Sequence, residues 1–497
     1  MDVVLLTTVL PYAHPEWPTT YKTILNLFRG IGSYQIAWYL RKHDYSVQVI
    51  DFISAIRTSQ IYELLDKFVT KDTKIVGLGV LGIVEQDAWL FVKFQEIMNT
   101  VRIKYPWVTI VGGGPTANRF EDEFDKKTFD WLVIGHAEDT MLALTNHLVR
   151  QGPKPMFEIS NKGTKLIKES FSVPVETKFN IQHSSHRWHE RDIIQPGEAL
   201  PLETTRGCIF KCKFCQYPLI GKNKRDFLRD MSEIHDELLD NYEKYKTVNY
   251  YILDDTFNAD KERVEEFWEM TKTLPFKIRY STYLRLDLIE AHPQTAMMLQ
   301  ESGLVGAFFG IETFNQEAAT MIGKAFSGKK AKAFLPKLMH EIWNDKISVY
   351  CGLIAGFPQE TFEDLKATNQ WMIDNGVHCW GWNPLYINRQ FGAVSEYNSE
   401  FDRNAESYGF RFVDDSNAWV TDTTSFRKAR EWAIVLQRAP NTVGKAGSWA
   451  IPEFLNYPCM NMDILLNSNS FLFYDTLPIH RQRREWLNRY VENLKNI

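Results

Sequence analysis

The stretch on which the reading turns is "PLETTRGCIFKCKFCQYPLIG", residues 201–221. It sets Cys208, Cys212 and Cys215 at spacings of four and three in a chain of 497 residues with only six cysteines. A structural zinc site closes its tetrahedron with four Cys or His ligands, normally in two pairs. Here one loop offers three, and no matching pair follows. An iron–sulfur carrier also takes four thiolates. Three thiolates leave one iron open to a substrate or cofactor. A zinc loop, or unrelated free thiols, is the plainer alternative.

The loop opens a series of βα units. Strand-like segments are "PLETTR" (201–206), "VNYYILDD" (248–255), "KIRYSTYL" (277–284), "VGAFFGIE" (305–312), "SVYCGLIAG" (348–356) and "HCWGWNPL" (378–385). Helical patterns fill 231–245, 261–273, 293–302, 330–344 and 361–375. Six such units are too few for a closed eight-stranded barrel. They predict a partial (β/α)6 barrel over 201–395, with chemistry at the C-terminal ends of its strands.

Upstream, apolar runs at 2–7, 46–51, 74–79, 107–114 and 130–135 alternate with helical patterns such as 33–43 and 85–104. Near-continuous apolar strands separated by helices predict a parallel sheet covered on both faces. Residues 1–150 are therefore read as a doubly wound, Rossmann-like domain whose ligand lies beyond the strand C-termini. Residues 151–200 mix Pro, Gly and Lys and read as a linker with room for a hairpin. Residues 396–497 read as a mostly helical C-terminal domain. The fold class is thus α/β.

Apolar residues make up 44% and charged residues 24%, which places the chain among globular proteins. A net charge of −5 gives no electrostatic reason to expect nucleic acid or an anionic membrane as partner. No run of 18 apolar residues occurs, and "MDVVLLTTVLPYAHPEW" has no basic segment before its short apolar run. A reducing, cytoplasmic location follows, with cysteines used for metal or redox chemistry.

"CIFKCKFC" (208–215) resembles the CxxxCxxC loop of the radical S-adenosylmethionine (SAM) superfamily, with Phe214 as its aromatic. The resemblance implies that Cys208, Cys212 and Cys215 hold a 4Fe–4S cluster. Its open iron would chelate SAM, and electron transfer would cleave SAM to methionine and a 5′-deoxyadenosyl radical. Further segments match in order. "ILDDTF" (252–257) implies Asp254 and Asp255 as acceptors for the SAM amino group. "YLRLDLI" carries Arg285, and "FFGIET" (308–313) implies Glu312 at the ribose. "GLIAGFPQET" (352–361) implies Gly352, Ile354 and Gly356 behind the adenine. Arg225 could meet the SAM carboxylate.

Residues 1–150 resemble the cobalamin-binding domain that precedes many radical SAM enzymes, through 32–52, 109–117 and 130–144. That resemblance implies a corrinoid along Gly79, Gly112, Gly113, Gly114, Thr116, Gly135 and Glu138. There is no DxHxxG motif to supply a histidine to cobalt, and 77–86 lacks the usual Ser or Thr. A scaffold that has lost its cofactor is the alternative. Methylthiotransferases of similar layout carry extra cysteines in this region, whereas residues 1–207 have none.

The combined expectation is a cobalamin-dependent radical SAM methyltransferase acting on an unactivated carbon of a small molecule or peptide, with flavodoxin or ferredoxin as electron donor. The alternatives are a radical SAM cyclase, oxidoreductase or rearrangement enzyme, and a non-enzymatic iron–sulfur or zinc protein. "HSSHRWHE" (183–190), Cys351, Cys379 and Cys459 read as structural or solvated.

Overall fold

A computed structural model describes residues 1–7, 29–79, 88–114, 128–159, 163–168, 179–215, 225, 228–324, 326, 328–387, 399–413, 418–437 and 477–497. Two parallel sheets organise them. The first is built from β1 (Val3–Leu6), α1 (Ile31–Lys42), β2 (Val47–Ile50), α2 (Thr58–Phe68), β3 (Ile75–Gly79), α3 (Ala88–Lys104), β4 (Thr109–Gly113), β5 (Trp131–Ile134) and α4 (Glu138–Arg150). Its strand order is β2-β1-β3-β4-β5, extended by β7 (Lys165–Lys168) and β6 (Glu158–Ile159). β7 runs parallel to β5 and β6 antiparallel to β7, so the segment read as a linker supplies a hairpin to the sheet edge. The strand order reverses at β1 and β3, the switch point where ligands sit in such sheets.

Both faces of this sheet are covered, as its continuous apolar strands require. Leu5, Val47 and Trp131 pack with Tyr34 and Leu40 of α1 and Leu144 of α4. On the other face Val4, Val76 and Ile110 meet Leu64 and Leu65 of α2 and Ile97 and Val101 of α3. The C-terminal helix, labelled α14 below (Leu477–Asn496), joins that face through Trp486, Tyr490 and Leu494.

The second sheet contains β8 (Leu200–Leu202), α5 (Met231–Tyr245), β9 (Asn249–Ile252), α6 (Lys261–Thr273), β10 (Arg279–Leu284), α7 (Leu286–Ala291), α8 (Gln294–Glu301), β11 (Leu304–Glu312), α9 (Gln316–Met321), α10 (Gly328–Pro336), β12 (Ser348–Ala355), α11 (Phe362–Asp374) and β13 (Cys379–Pro384). Its strands pair in chain order, β8 to β13, all parallel. This is the six-stranded open barrel expected. Side chains alternate across each strand. Tyr250, Tyr280, Phe309 and Cys351 are buried in the helix-side core. The neighbouring Tyr251, Tyr283, Phe308 and Tyr350 face the other way and touch in series, with ring centroids 6.1, 4.7 and 4.7 Å apart.

Two expectations change in detail. The helix read over 330–344 ends at Pro336 and continues as a π-turn, Lys337–Ile342. Proline removes an N–H and crowds the preceding turn. The first barrel strand stops at Leu202 rather than reaching 206, because the Thr204 and Thr205 amides bond a side chain instead of a neighbouring strand. The tail supplies α12 (Glu400–Asn404), the hairpin of β14 (Arg411–Phe412) and β15 (Trp419–Val420), α13 (Phe426–Gln437) and α14. Trp419 and Ala429 pack with Ile354 and Phe357 beyond β12.

Candidate active site

The cysteine loop is held at both ends. At its start, Asp254, just beyond β9, accepts hydrogen bonds from the amides of Thr204 (2.8 Å) and Thr205 (3.0 Å) and from the Thr204 hydroxyl. Gly207 follows with φ +108°, a conformation that side chains disfavour. At its middle, the Lys213 amide donates to the Ile322 carbonyl, and the Lys213 carbonyl accepts from the Phe401 amide, each at 3.0 Å. The Cys215 amide closes on the Cys212 carbonyl at 3.0 Å.

Cys208, Cys212 and Cys215 are not joined in disulfides, and all are half-buried. The Cys208 sulfur lies 3.5 Å from the Thr256 hydroxyl, and burial raises its pKa. Arg285 donates toward the Cys212 sulfur at 3.8 Å and lies 3.9 Å over the Phe210 ring. Asp287 fixes that guanidinium with bonds of 3.0 and 2.6 Å. Three soft donors on one loop with a cation beside them suit an anionic iron–sulfur cluster. Phe214 packs instead on the tail cluster around Ala318, Ile354 and Trp419.

Asp254 and Asp255 separate. Asp254 is buried and engaged by the loop backbone; burial pushes its pKa up to about 6 despite those bonds. Asp255 is half-buried. Burial, then the charges of Asp254 and Glu203, push it up to about 8. A carboxyl so crowded by negative charge is a site for a cation. Asp254, by contrast, is already taken by the Thr204 and Thr205 amides and the Thr204 hydroxyl.

Glu312 lies at a bulge in β11 with φ +64°, a strained conformation for a non-glycine residue. Its carboxylate pairs with Lys324 at 2.9 Å. Ile354 is buried near the end of β12. The glycines beside it answer to their own neighbours. A Cβ on Gly352 would meet the Phe308 ring at 3.1 Å. A Cβ on Gly356, at φ +118°, would strike Trp419 at 2.7 Å. Arg225 pairs with Asp260 (3.1 Å) and Glu266 (2.6 Å), so its guanidinium is already engaged.

On the first sheet, Gly79 lies at the switch point. A Cβ there would meet Ser33 Oγ at 3.1 Å and Thr7 Oγ1 at 3.3 Å. Gly114 (φ +125°) and Gly135 (φ +102°) terminate β4 and β5 in glycine-only conformations. Gly113 has room limited by the Val133 carbonyl at 3.3 Å. Gly112 differs: a Cβ would collide with Leu132 at 2.7 Å and Phe129 at 3.0 Å, so core packing explains it. Glu138 turns its carboxylate to Arg206, 2.8 Å away. Thr116 and Cys459 lie outside the described residues.

The structure disperses the histidine-rich segment. His183 pairs with Asp230 at 2.7 Å, His189 caps a short 3-10 turn, and His186 is buried between Trp38 and Trp188. Burial, then neighbouring arginines, push His186 down to about 3. Cys351 and Cys379 are buried core thiols. A different cluster, His340, Asp345 and His378, lies by the strand N-termini, away from the cysteines. Asp345 takes hydrogen bonds from both histidines, at 2.7 and 3.0 Å. His378 Nδ1 accepts from the Val349 amide, which places its proton on Nε2, toward Asp345. That is a hydrogen-bonded clasp rather than an open ligand set.

Sequence reading did not find Glu203 and Arg206. Arg206 takes Glu203 bidentately and reaches Glu138 across the two sheets. Burial disfavours the Glu203 carboxylate, but the adjacent guanidinium of Arg206 holds its pKa below the usual range.

An open six-stranded βα barrel with three thiols at the end of its first strand defines a class, and comparison with known proteins matches that barrel to a family model. Residues 202–372, from β8 into α11, match the Radical SAM superfamily. That domain marks the chain as an enzyme and implies a 4Fe–4S cluster and SAM as cofactors. An uncharacterized methyltransferase of Pyrococcus horikoshii is 25% identical over 344 residues, 66% of this chain and 69% of that protein. The bacteriochlorophyllide d C-12(1)-methyltransferase of Chlorobaculum tepidum is 22% identical over 252 residues, about half of each chain. The radical SAM methyltransferase TsrM of Kitasatospora setae, solved with tryptophan and a SAM analogue, shares the fold at TM-score 0.65 and 15% identity over 99% of both chains. A second TsrM structure, with cobalamin and a 4Fe–4S cluster, aligns at TM-score 0.61 and 16% identity, covering 84% of this chain and 81% of that one.

Proposed function

We propose that this chain is a cobalamin-dependent radical SAM methyltransferase acting on an unactivated carbon of a small-molecule or peptide substrate. The carrying observation is the set of three half-buried thiols at the end of β8, beside the cation-seeking Asp255. Arg206, two residues before Cys208, is bonded to Glu138 at the start of α4 of the first sheet. The methyltransferase names of the Pyrococcus and Chlorobaculum relatives support the reaction type. The cobalamin of TsrM supports the second cofactor. When bound, the cluster and SAM supply a carbon-centred radical, and the corrinoid supplies the methyl group.

The chain's own residues bind and orient. Cys208, Cys212 and Cys215 hold the cluster, and Arg285 offsets its charge. Asp255 takes the SAM ammonium, Glu312 the ribose, and Ile354 the adenine face. Gly79, Gly113, Gly114 and Gly135, at the ends of their strands, are the positions offered to a corrin ring. The hydroxyls of Ser33 and Thr7 beside Gly79 offer polar contacts at the switch point. Reduction comes from an external donor such as flavodoxin or ferredoxin in the cytoplasm. Among the described residues no helix is long and apolar enough to cross a membrane.

The test is anaerobic reconstitution with iron, sulfide and hydroxocobalamin, then desalting and addition of SAM and reductant. Near-stoichiometric cobalt with 5′-deoxyadenosine formation is expected. Deoxyadenosine without retained cobalt would remove the corrinoid from the reading. Undiminished SAM cleavage after replacing all three loop cysteines by Ala would sink the radical SAM assignment at this loop.

A further inference from the structure

We propose that Arg206 is the positioning residue that keeps the SAM edge of the barrel in register with the cofactor loop of the first sheet. The proposal rests on the function above and adds a residue to it. Arg206 stands three residues after Glu203 and two before Cys208. Its Nε and Nη2 bond the two Glu203 oxygens at 2.8 and 2.9 Å. Its Nη1 reaches Glu138 Oε1 at 2.8 Å and lies 3.3 Å from His136 Nδ1. The three charged side chains are only 13%, 13% and 6% exposed for Arg206, Glu203 and Glu138.

The placement gives this triad its meaning. Glu138 is the first residue of α4, and His136 lies in the turn that follows β5. Both belong to the edge where the first sheet takes its ligand. Glu203 follows β8 and contributes negative charge at Asp255. One guanidinium therefore spans the corrinoid side and the SAM side. Other charged links between the sheets, Arg29 with Glu198 and Arg41 with Asp192, use residues that precede β8. They join the segment leading into the barrel to the first sheet, on the approach to the strand rather than at its chemical end.

The triad also selects between carboxylates. Glu203 held bidentately cannot swing to the SAM ammonium, which leaves Asp255 as its partner. A lysine would supply the charge but not three directed bonds in one plane.

The test compares the full-length, anaerobically reconstituted wild type with Arg206→Gln, Arg206→Lys and Glu138→Gln. Three quantities are read: the Kd for SAM by equilibrium dialysis, the cobalt-to-protein ratio after desalting, and the low-temperature EPR spectrum of the reduced cluster with and without SAM. Arg206→Gln is expected to weaken SAM at least tenfold, shrink the SAM-induced EPR change and lower cobalt retention, with iron content unchanged. Arg206→Lys is expected to recover part of the SAM affinity. Glu138→Gln is expected to reduce cobalt retention more than SAM affinity. Wild-type SAM Kd and EPR response in Arg206→Gln, with only the melting temperature lowered, would overturn the proposal. Should that variant not fold, a wild-type SAM Kd in Arg206→Lys overturns it equally. A wild type that retains no cobalt counts against the corrinoid reading, while the SAM and EPR readouts still decide the role of Arg206.

Discussion

Thr204 and Asp254 are joined twice: the Thr204 amide donates to one carboxylate oxygen at 2.8 Å, and its hydroxyl donates to the other. Residues 50 apart in sequence thus set where the cysteine loop departs from β8. Asp255, one residue on, is half-buried beside the charges of Asp254 and Glu203. Asp254→Asn is expected to destabilise the protein by about 1.5–3 kcal/mol, the range for hydrogen bonds to a charged group. It should also lower iron loading. Asp255→Asn should leave stability of the cofactor-free protein within about 0.5 kcal/mol, because the side chain is already crowded toward its neutral form. It should weaken SAM at least tenfold. Denaturant unfolding and SAM dialysis on both variants check this. Equal SAM loss without any stability difference would contradict the division of roles.

Glu360 gives a pH prediction. Thr313 donates to its Oε1 at 2.6 Å, while Oε2 is buried with no hydrogen-bond partner among the described residues. Burial pushes the carboxyl from its usual value of 4.5 up to about 7. Between those values the folded state holds a proton that the unfolded chain has released. The protonated group's stabilisation is complete below pH 4.5 and is lost as pH rises to about 7. Glu360→Gln keeps the shape without the charge. It should flatten that part of the stability profile and be more stable than wild type above pH 7, by roughly 3 kcal/mol at most. Parallel melting curves from pH 5 to pH 8, with the variant showing no relative gain, would refute it.

Much of this fold was legible because both sheets are parallel and buried. "VGAFFGIE" at 305–312 became Leu304–Glu312, and "KERVEEFWEMTKT" became α6, capped by Asp260 accepting from the Glu262 amide. α2 was overlooked although Ile61, Leu64, Leu65 and Phe68 mark a helical face. The destination of α14 was not readable: its apolar positions show that it packs but not against what. The same holds for Arg206 and Glu138, 68 residues apart and paired only by topology. The split between Asp254 and Asp255 was not legible, because both lie past the end of β9, where strand alternation no longer applies, and the Thr204 bonds that engage Asp254 come from 50 residues away.

Gly356 was read as room for adenine, yet its own fold needs it. A Cβ would lie 2.7 and 2.9 Å from the Trp419 ring and 3.0 Å from Ala429, at φ +118°. Trp419 is fixed there by a bond from Nε1 to the Leu385 carbonyl at 2.9 Å. Gly356→Ala should cost at least about 2 kcal/mol from overpacking and backbone strain together. Adding Trp419→Phe should restore part of the loss by removing the steric share. If the second substitution deepens the loss additively, the collision is not the cause. Denaturant unfolding of the two single variants and the double variant separates these cases.

The buried Arg29 links α14 to the rest of the molecule. Its guanidinium bonds Glu198, the Tyr34 hydroxyl and the carbonyls of Asp192 and Ile193. The rings of Phe52, Trp486 and Tyr490 surround it at 5.4, 5.8 and 5.4 Å. Tyr490 accepts from the Asp51 amide at 2.9 Å. Arg29→Met leaves Glu198 buried without its cation and should destabilise by about 3–5 kcal/mol. Replacing both partners, Arg29→Met with Glu198→Leu, removes the stranded charge and should recover more than half of that loss. Tyr490→Phe should cost about 1–3 kcal/mol by leaving the Asp51 amide unsatisfied. It should also free the last helix to proteolysis before the barrel unfolds. Limited proteolysis with mass detection of the C-terminal fragment, alongside denaturant melts, reads both effects. An Arg29→Met loss that the Glu198 change does not reduce would place the energy in the aromatic box rather than in the ion pair.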